Sequence, residues 1–178
     1  MREFDSELYI TLCDSEWPFE YINHDRNIAR AIVFDEEGYY YFVRAERDDD
    51  FGKAIILETA GGGVESGESA DEAVAREVLE ELGARVEVIV KIGVVSDYYN
   101  LIHRHNINNY YLCKVLSLGE RSLTEDERKL FHLSVVKLTY DEAVQEYQMR
   151  SSTPLGRLIR NRELPILKKA HLMLSEQE

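Results

Sequence analysis

Three glutamates form a dense group of potential metal ligands in this sequence. Glu77, Glu80 and Glu81 are related as i, i+3 and i+4, so in a helix their carboxylates share one face. Like charges at this spacing disfavour a helix slightly unless a cation neutralises them. Carboxylate oxygens are hard ligands, which suit Mg²⁺ or Mn²⁺ bound together with substrate phosphates. An acidic helix face is also a common solvated surface, so its meaning depends on the residues around it.

A glycine-rich segment, ETAGGGVESGE, lies immediately before these glutamates at residues 58–68. Consecutive glycines allow positive φ angles and close approach of the backbone, as a loop around a metal or phosphate requires. Glycine-rich loops are common connectors on their own. Together, the loop and the acidic face predict metal-assisted phosphate chemistry.

Helix start and stop signals flank the glutamates. Ser69 followed by Glu72 is a capping-box pattern, and Gly83 is placed to end the helix. The apolar stripe expected to face the core is Val74, Val78 and Leu82, with Ala75 and Leu79 alongside.

Residues 62–84, GGVESGESADEAVAREVLEELGA, fit the pattern G-x5-E-x7-R-E-U-x-E-E-x-G-U, in which U is a bulky aliphatic residue. All fixed glycine, acidic and basic positions match, and Ala84 in the last position is the only weak match. The segment resembles the signature of the Nudix hydrolases, which cleave a diphosphate linked to another moiety. The resemblance implies an α/β fold, a Nudix-type α/β/α sandwich with a mixed β-sheet, in which the signature forms a loop–helix–loop.

The resemblance also implies which residues bind metal. Glu80 and Glu81 match the principal ligands, and Glu77 matches a carboxylate that ligates metal or serves as the base. The carbonyl of Gly61 is a further expected ligand. The implied cofactor is Mg²⁺ or Mn²⁺.

Other signature residues have implied supporting roles. Arg76 matches an arginine that orients a signature glutamate, and Gly62 and Glu68 belong to the cofactor-binding loop, which Glu68 ties to the helix. An ion pair between Arg76 and Glu68 that only stabilises the loop is equally compatible with the sequence.

The general base has a second candidate location. Many family members place it on a loop before the last strand, where this chain has Leu123-Thr124-Glu125-Asp126-Glu127. Glu125 and Glu127 are therefore candidates beside Glu77. A solvated acidic turn is the alternative interpretation of this segment.

The sequence indicates the substrate less specifically than it indicates the reaction. Residues 42–47, FVRAER, and 58–62, ETAGG, loosely resemble the arginine-containing strand and E-x-P-A-G loop of ADP-sugar pyrophosphatases, with Ala60 and Gly61 in place of proline and alanine. The sequence GGGVE resembles nucleoside triphosphate-cleaving members equally well. We expect hydrolysis of a nucleoside diphosphate derivative (NDP-X), such as an ADP-sugar, with a nucleoside triphosphate as the alternative. A non-catalytic nucleotide-binding module is a third hypothesis, but such modules usually lose signature carboxylates.

Composition restricts the class of protein. The chain has 178 residues, of which 44% are hydrophobic, and no apolar run approaches the roughly 20 residues of a membrane span. No signal peptide is recognisable, and Cys13 and Cys113 are expected as buried, reduced thiols, so a cytoplasmic location is expected. A net charge of −13 argues against nucleic acid as a partner and leaves a small nucleotide as the expected one.

The elements around the signature predict one domain with a mixed sheet and helices on both faces. Strands are expected at 27–35, 38–46, 54–58, 85–99, 107–118 and 132–138, with a hairpin turn at 36–38, and a helix is expected to start within 139–147. This divides 1–178 into an N-terminal extension at 1–26, a family core at 27–147 and a C-terminal helical extension at 150–175.

The two extensions carry their own expectations. ELYITLC at 7–13 is a candidate added strand. Some Nudix subfamilies dimerise through such a strand, so the resemblance suggests a homodimer. Pro165 is expected to kink or break the C-terminal helix. The basic residues of that segment are expected on a solvated face, with docking on an acidic subunit or binding of phosphates as the alternatives: Arg150, Arg157, Arg160, Arg162, Lys168 and Lys169.

Overall fold

The computed structural model describes residues 6–176, so residues 1–5 of the predicted N-terminal extension and residues 177–178 lie outside the described range. The strands within it are β1 Leu8–Leu12, β2 His24–Phe34, β3 Tyr40–Asp49, β4 Gly52–Glu58, β5 Ala60–Gly63, β6 Ala84–Tyr99, β7 Arg104–Leu118 and β8 Ser134–Leu138. The helices are α1 Ala70–Leu82, α2 Glu125–Lys129, α3 Tyr140–Arg150 and α4 Pro154–Ser175, and a short 3-10 turn covers Asn100–Ile102.

The strands form a mixed sheet in the spatial order β1-β6-β7-β2-β3-β4, with β5 paired to β2 and β8 paired to β3. The β1–β6 and β2–β7 pairs are parallel, and the other pairs are antiparallel. The long β2–β7 pair runs from His24 opposite Arg104 to Phe34 opposite Lys114. Because β5 pairs with the middle of β2, from Ile28 to Ala31, the glycine-rich segment is fixed to the centre of the sheet.

Alternation along the strands separates two hydrophobic cores. On one face, Ala31 and Val33 of β2 pack with Val74 and Val78 of α1. On the other face, Ile32 of β2 packs in the core that includes α3 and α4. The predicted α/β/α sandwich with a mixed sheet is therefore confirmed. No helix in residues 6–176 is both long and apolar enough to cross a lipid bilayer.

Local signals placed most elements correctly. Ser69 and Glu72 form the predicted capping box of α1, and Gly83 ends that helix with a left-handed φ of 67°. The hairpin between β2 and β3 turns at Gly38, whose φ is 87°. The candidate strand at 7–13 is β1, which extends the sheet beside β6.

Other expectations were wrong in detail. Leu79 is exposed although it borders the apolar stripe of α1, and Cys13 is exposed whereas Cys113 is buried. Pro165 does not break α4, which is assigned continuously from Pro154 to Ser175. The segment predicted as a loop before the last strand contains the short helix α2, started by a capping box between Thr124 and Glu127.

Candidate active site

The signature glutamates lie against the backbone of the glycine-rich segment. Glu81, which is 9% exposed, accepts a hydrogen bond from the Gly61 N–H at 3.0 Å. The carboxylate of Glu77 occupies the space above Gly62, where an added Cβ would lie 2.6 Å from Glu77 Cδ. A side chain at position 62 would therefore require this carboxylate to move.

Arg76 connects the loop, the helix and two of the expected metal ligands. Its guanidinium donates to both carboxylate oxygens of Glu68 at 2.7 and 3.0 Å and to the carbonyl of Gly63 at 3.2 Å. It also donates to Glu77 at 2.7 Å and to Glu80 at 3.3 Å. Arg76 thus makes contacts that suit both interpretations: it stabilises the loop and orients glutamates.

The carboxylates of this group have opposite tendencies to ionise. The hydrogen bonds from Arg76 and from the Glu65 N–H lower the pKa of Glu68 to about 2. Burial raises the pKa of Glu81 to about 8, although the Gly61 N–H opposes the shift and the charge of Glu77 adds to it. Burial also raises the pKa of Glu77 against the opposing effect of Arg76. We call Glu68, Arg76, Glu77, Glu80 and Glu81 the signature cluster; it has four carboxylates and one guanidinium.

The chemistry of the donors fits a hard divalent cation. Carboxylate oxygens of Glu77, Glu80 and Glu81 and the nearby carbonyl of Gly61 are the ligand types that Mg²⁺ and Mn²⁺ prefer. Within residues 6–176, no three acidic, histidine or cysteine side chains are arranged as a ready cage for a metal. Arg76 accounts for this, since it engages both Glu77 and Glu80.

The two downstream acids occupy different environments. Glu127 borders the same cleft as Gly61 and Glu81, and its charge contributes to the raised pKa of Glu77. Its carboxylate also accepts the Thr124 N–H at 2.8 Å. The side chain of Glu125 is 83% exposed and pairs with Lys129 at 3.2 Å. The structure therefore brings Glu127, but not Glu125, to the signature cluster.

A cleft of about 280 Å³ adjoins the signature cluster on the side of the sheet that carries α4. Its charged lining includes four arginines, Arg26, Arg30, Arg47 and Arg104. Its aromatic lining is Phe51, Tyr99 and Phe131. A larger, more open groove of about 590 Å³ lies near Lys53 and Met149 and includes none of the signature carboxylates.

A second group of charged residues contacts Glu58 and Thr59, immediately before strand β5. Glu163 of α4 accepts the N–H of Thr59 at 2.8 Å and its hydroxyl at 2.6 Å. Arg162 donates to Glu58 at 2.7 Å, and Arg30 pairs with Glu58 at 3.1 Å. We call Arg30, Glu58, Arg162 and Glu163 the buried charge cluster.

The expected solvated basic face of α4 is wrong for Arg162, which is 1% exposed. The sequence contained a signal that could have shown this. Leu155, Ile159 and Ile166 follow the helical repeat of the core face, and Arg162 lies within the same stripe. A charged pair inside an apolar stripe indicates a buried, paired site rather than a solvated one.

Comparisons with known proteins agree with this geometry. A family model described as NUDIX domain matches residues 24–151. No curated protein matches the chain. Among solved structures, a NUDIX hydrolase from Nitrosomonas europaea has a TM-score of 0.64 and 23% identity, covering 84% of this chain and 90% of that chain.

Two further structures are similar at lower scores. A MutT NUDIX hydrolase from Burkholderia pseudomallei has a TM-score of 0.55 and 21% identity, covering 67% of this chain and 87% of that one. The E. coli ORF135 protein has a TM-score of 0.56 and 21% identity, covering 85% and 92%. These structures share the fold, and the family model spans most of the chain including the complete signature. The chain therefore belongs to the Nudix family and is an enzyme of its pyrophosphohydrolase type.

Proposed function

We propose that this enzyme hydrolyses the diphosphate bond of a nucleoside diphosphate derivative, such as an ADP-sugar, with Mg²⁺ or Mn²⁺ as its cofactor. One observation carries the proposal. The carboxylates of Glu77 and Glu81 lie against the Gly61–Gly62 backbone, at a cleft lined with arginines and aromatic rings. Such a cleft combines groups that attract phosphates with surfaces on which a base or sugar can pack.

Glu77, Glu80, Glu81 and the carbonyl of Gly61 are the residues that would hold the cation. When bound, a divalent cation neutralises phosphate oxygens and lowers the pKa of a coordinated water. Arg76 keeps Glu77 and Glu80 at the loop, and Gly62 provides the space that Glu77 needs. Burial raises the pKa of Glu81 to about 8, which favours its protonated form until a cation binds.

For the base that removes a proton from the attacking water, we propose Glu127, with Glu77 as the alternative. Glu127 borders the cleft, whereas Glu125 pairs with Lys129 in solvent. The bond from the Thr124 N–H fixes the position of the Glu127 carboxylate. This arrangement supports a base outside the signature helix.

The substrate class has support from residues outside the signature. Arg47 of the FVRAER segment lines the cleft. Arg44 of the same segment donates to Glu146 at 2.7 and 2.8 Å, and this ion pair makes it a structural residue rather than a ligand for the substrate. A nucleoside triphosphate is the second candidate substrate, which the several cleft arginines also suit. A non-catalytic module is the weaker hypothesis, because all signature carboxylates are present.

Two expectations accompany this proposal. A cytoplasmic location follows from the sequence-based expectations, and a homodimer through β1 remains a prediction. Tyr9 of β1 is 70% exposed, so an apolar ring is available on that edge of the sheet. Equilibrium sedimentation of the full chain, with Tyr9→Ser as a comparison, measures the oligomeric state.

The decisive experiment is a screen of nucleoside diphosphate derivatives and nucleoside triphosphates with Mg²⁺ and Mn²⁺, with products separated by chromatography. We expect turnover that excess chelator abolishes and added Mg²⁺ or Mn²⁺ restores. Full activity in chelator would contradict the metal dependence. Saturable nucleotide binding without any product would instead support the non-catalytic module.

A further inference from the structure

Two cleft arginines have no acidic partner. Arg26 lies on β2 and Arg104 begins the neighbouring parallel strand β7, where Arg104 is opposite His24. Both line the cleft that also contains Gly61 and Glu81. Neither forms an ion pair within the part of the chain that the structure describes, whereas Arg30 in the same cleft pairs with Glu58.

Arg104 is held in an environment that is unfavourable without an anion. Its Nε atom is buried and has no hydrogen-bond partner among the described residues. Its guanidinium lies 5.5 Å from the centre of the Tyr99 ring. Burial lowers the pKa of Arg104, and the positive charge of Arg26 lowers it further. An unpaired buried donor beside a like charge is costly, and a bound anion would remove both costs.

The location of Arg26 links this pair to the signature loop. A Cβ added at Gly63 would meet Nε and Nη2 of Arg26 at 3.5 Å. Gly63 is the residue after Gly62, against which the Glu77 carboxylate rests. The arginine pair is therefore next to the expected cation site but uses a different part of the loop. A group bound here would be close to the scissile diphosphate without being part of it.

The lack of an acidic partner for Arg26 and Arg104 is unusual in a chain of this composition. It has 34 acidic and 21 basic residues, so carboxylates are abundant. In this acidic chain, Arg76 and Arg162 each contact several carboxylates. Two guanidinium groups that line one cleft, neither of them in an ion pair within residues 6–176, indicate a phosphate site, because the planar fork of arginine matches phosphate oxygens.

We propose that Arg26 and Arg104 form an anion subsite for a phosphate group of the substrate that lies outside the cleaved diphosphate linkage. This inference rests on the proposed function and narrows its substrate class. The preferred substrate carries an additional phosphate, supplied either by a phosphomonoester on X of NDP-X or by the third phosphate of a nucleoside triphosphate. An unphosphorylated ADP-sugar leaves the subsite empty.

The first test measures binding without catalysis. Inorganic pyrophosphate is titrated calorimetrically into the full chain at low ionic strength with excess EDTA. The proteins are wild type, Arg26→Gln/Arg104→Gln, and Arg85→Gln/Lys168→Gln as a control that also removes two positive charges, from exposed positions of β6 and α4. We expect the double variant to bind about tenfold or more weakly and the control to match wild type. Binding that is absent in wild type, or equal in all three proteins, overturns the subsite.

The second test uses kinetics to identify the source of the phosphate. KM and kcat are compared for an ADP-sugar, the same compound with a phosphate on its sugar, and ATP. We expect the double variant to raise KM about tenfold or more for whichever phosphorylated compound wild type prefers, with the ADP-sugar unchanged. Equal effects on phosphorylated and unphosphorylated compounds overturn the substrate assignment.

These tests separate failure of the subsite from failure of the proposed function. If no compound is hydrolysed, the proposed function fails, but the EDTA titration still decides whether the arginine pair binds phosphate. The fold of each variant is checked by thermal unfolding. Arg104→Lys provides a further comparison, because it keeps the charge but removes the planar fork, and we expect binding between that of wild type and the double variant.

Discussion

The signature cluster and the buried charge cluster are both built from arginines and glutamates, yet their charge balance differs. In the signature cluster one guanidinium, Arg76, pairs with Glu68, Glu77 and Glu80, and the fourth carboxylate, Glu81, binds only the Gly61 N–H. In the buried charge cluster Arg30 and Arg162 pair with Glu58 and Glu163, and Arg162 also lies 3.7 Å from Asp97. The signature cluster thus has one guanidinium for four carboxylates, whereas the buried charge cluster together with Asp97 has two guanidinium groups for three carboxylates, so the deficit of positive charge is larger in the signature cluster.

The two clusters also differ in the number of hydrogen bonds that their buried glutamates accept. Glu163, which is 0% exposed, accepts bonds from Thr59, Tyr147 and Arg162 at 2.6 to 3.0 Å. These bonds offset the cost of removing a charge from water. Glu81 is also buried, but its bond from the Gly61 N–H at 3.0 Å is not enough to prevent a raised pKa. Burial with a single backbone hydrogen bond thus favours the protonated form of Glu81.

The two clusters meet at one short segment. Glu163 binds Thr59, and Glu81 binds the N–H of Gly61 two residues later. Strand β5, whose Gly61 carbonyl would contribute to the cation site, is therefore fixed from α4 on one side and from α1 on the other. The comparison predicts that changes to the signature cluster affect turnover, while changes to the buried charge cluster affect stability.

The largest effect is expected for Glu80→Gln, which keeps the shape of the side chain but removes one ligand charge. We expect kcat to fall by several orders of magnitude at saturating Mg²⁺. The free energy of unfolding without metal should change by only a few tenths of a kcal/mol, because the pair with Arg76 at 3.3 Å is partly exposed. Steady-state kinetics and urea denaturation measure the two quantities. A wild-type kcat would show that Glu80 is not part of the metal site.

Glu127→Gln is expected to lower kcat about 10²–10⁴-fold if Glu127 is the base. Metal affinity should stay near that of wild type, since the residue lies outside the signature helix. Glu125→Gln is the matched control and should be almost silent, because Glu125 is 83% exposed. If Glu77→Gln instead lowers kcat at saturating metal and Glu127→Gln does not, the base is Glu77.

Glu163→Gln is expected to reduce the free energy of unfolding by about 3–5 kcal/mol, because it leaves Arg162 with less compensation in the interior. Lys168→Gln, on an exposed position of the same helix, should stay within about 0.5 kcal/mol of wild type. Urea denaturation of both variants gives the comparison. Similar stabilities would mean that the buried charge cluster does not hold α4 to the loop.

The smallest of these effects is expected on the free energy of unfolding at acidic pH. Arg30 and Arg162 lower the pKa of Glu58 from 4.5 to about 2, against the effect of burial. Because the folded-state pKa is below the unfolded one, this stabilisation is present above pH 4.5 and is lost as pH falls towards 2. It amounts to about 3 kcal/mol at most. Denaturation of wild type and Glu58→Gln between pH 2 and 6 should show a shallower pH dependence in the variant; parallel curves would contradict this origin.

Much of the signature region could be predicted from local sequence. The capping box at Ser69, the stop at Gly83 and the acidic face of α1 depend on residues within one or two helical turns of each other. The hairpin at Gly38 depends on a positive φ that glycine adopts easily. Such features need no knowledge of distant residues, so the sequence by itself determined them.

Where local signals competed with distant contacts, prediction was less accurate. Cys13 follows an apolar run but is exposed, because it lies just beyond β1, an edge strand that pairs with β6. Arg162 looked like one of several solvated bases, yet Glu58 and Tyr99 surround it in the interior. A charged side chain is stable there only because its partners come from other elements, which no local pattern describes.

The cleft was decided by tertiary structure alone. Arg26 and Arg104 become neighbours because β2 and β7 pair in parallel. Glu127, on α2, lines the same cleft as Glu81, although the two residues are far apart in the sequence. The sequence determined the chemistry of the signature, since its ligands, caps and glycines are adjacent along the chain. Only the folded chain determined which charges would find partners among the described residues and which would not, because that depends on strand pairing between distant segments.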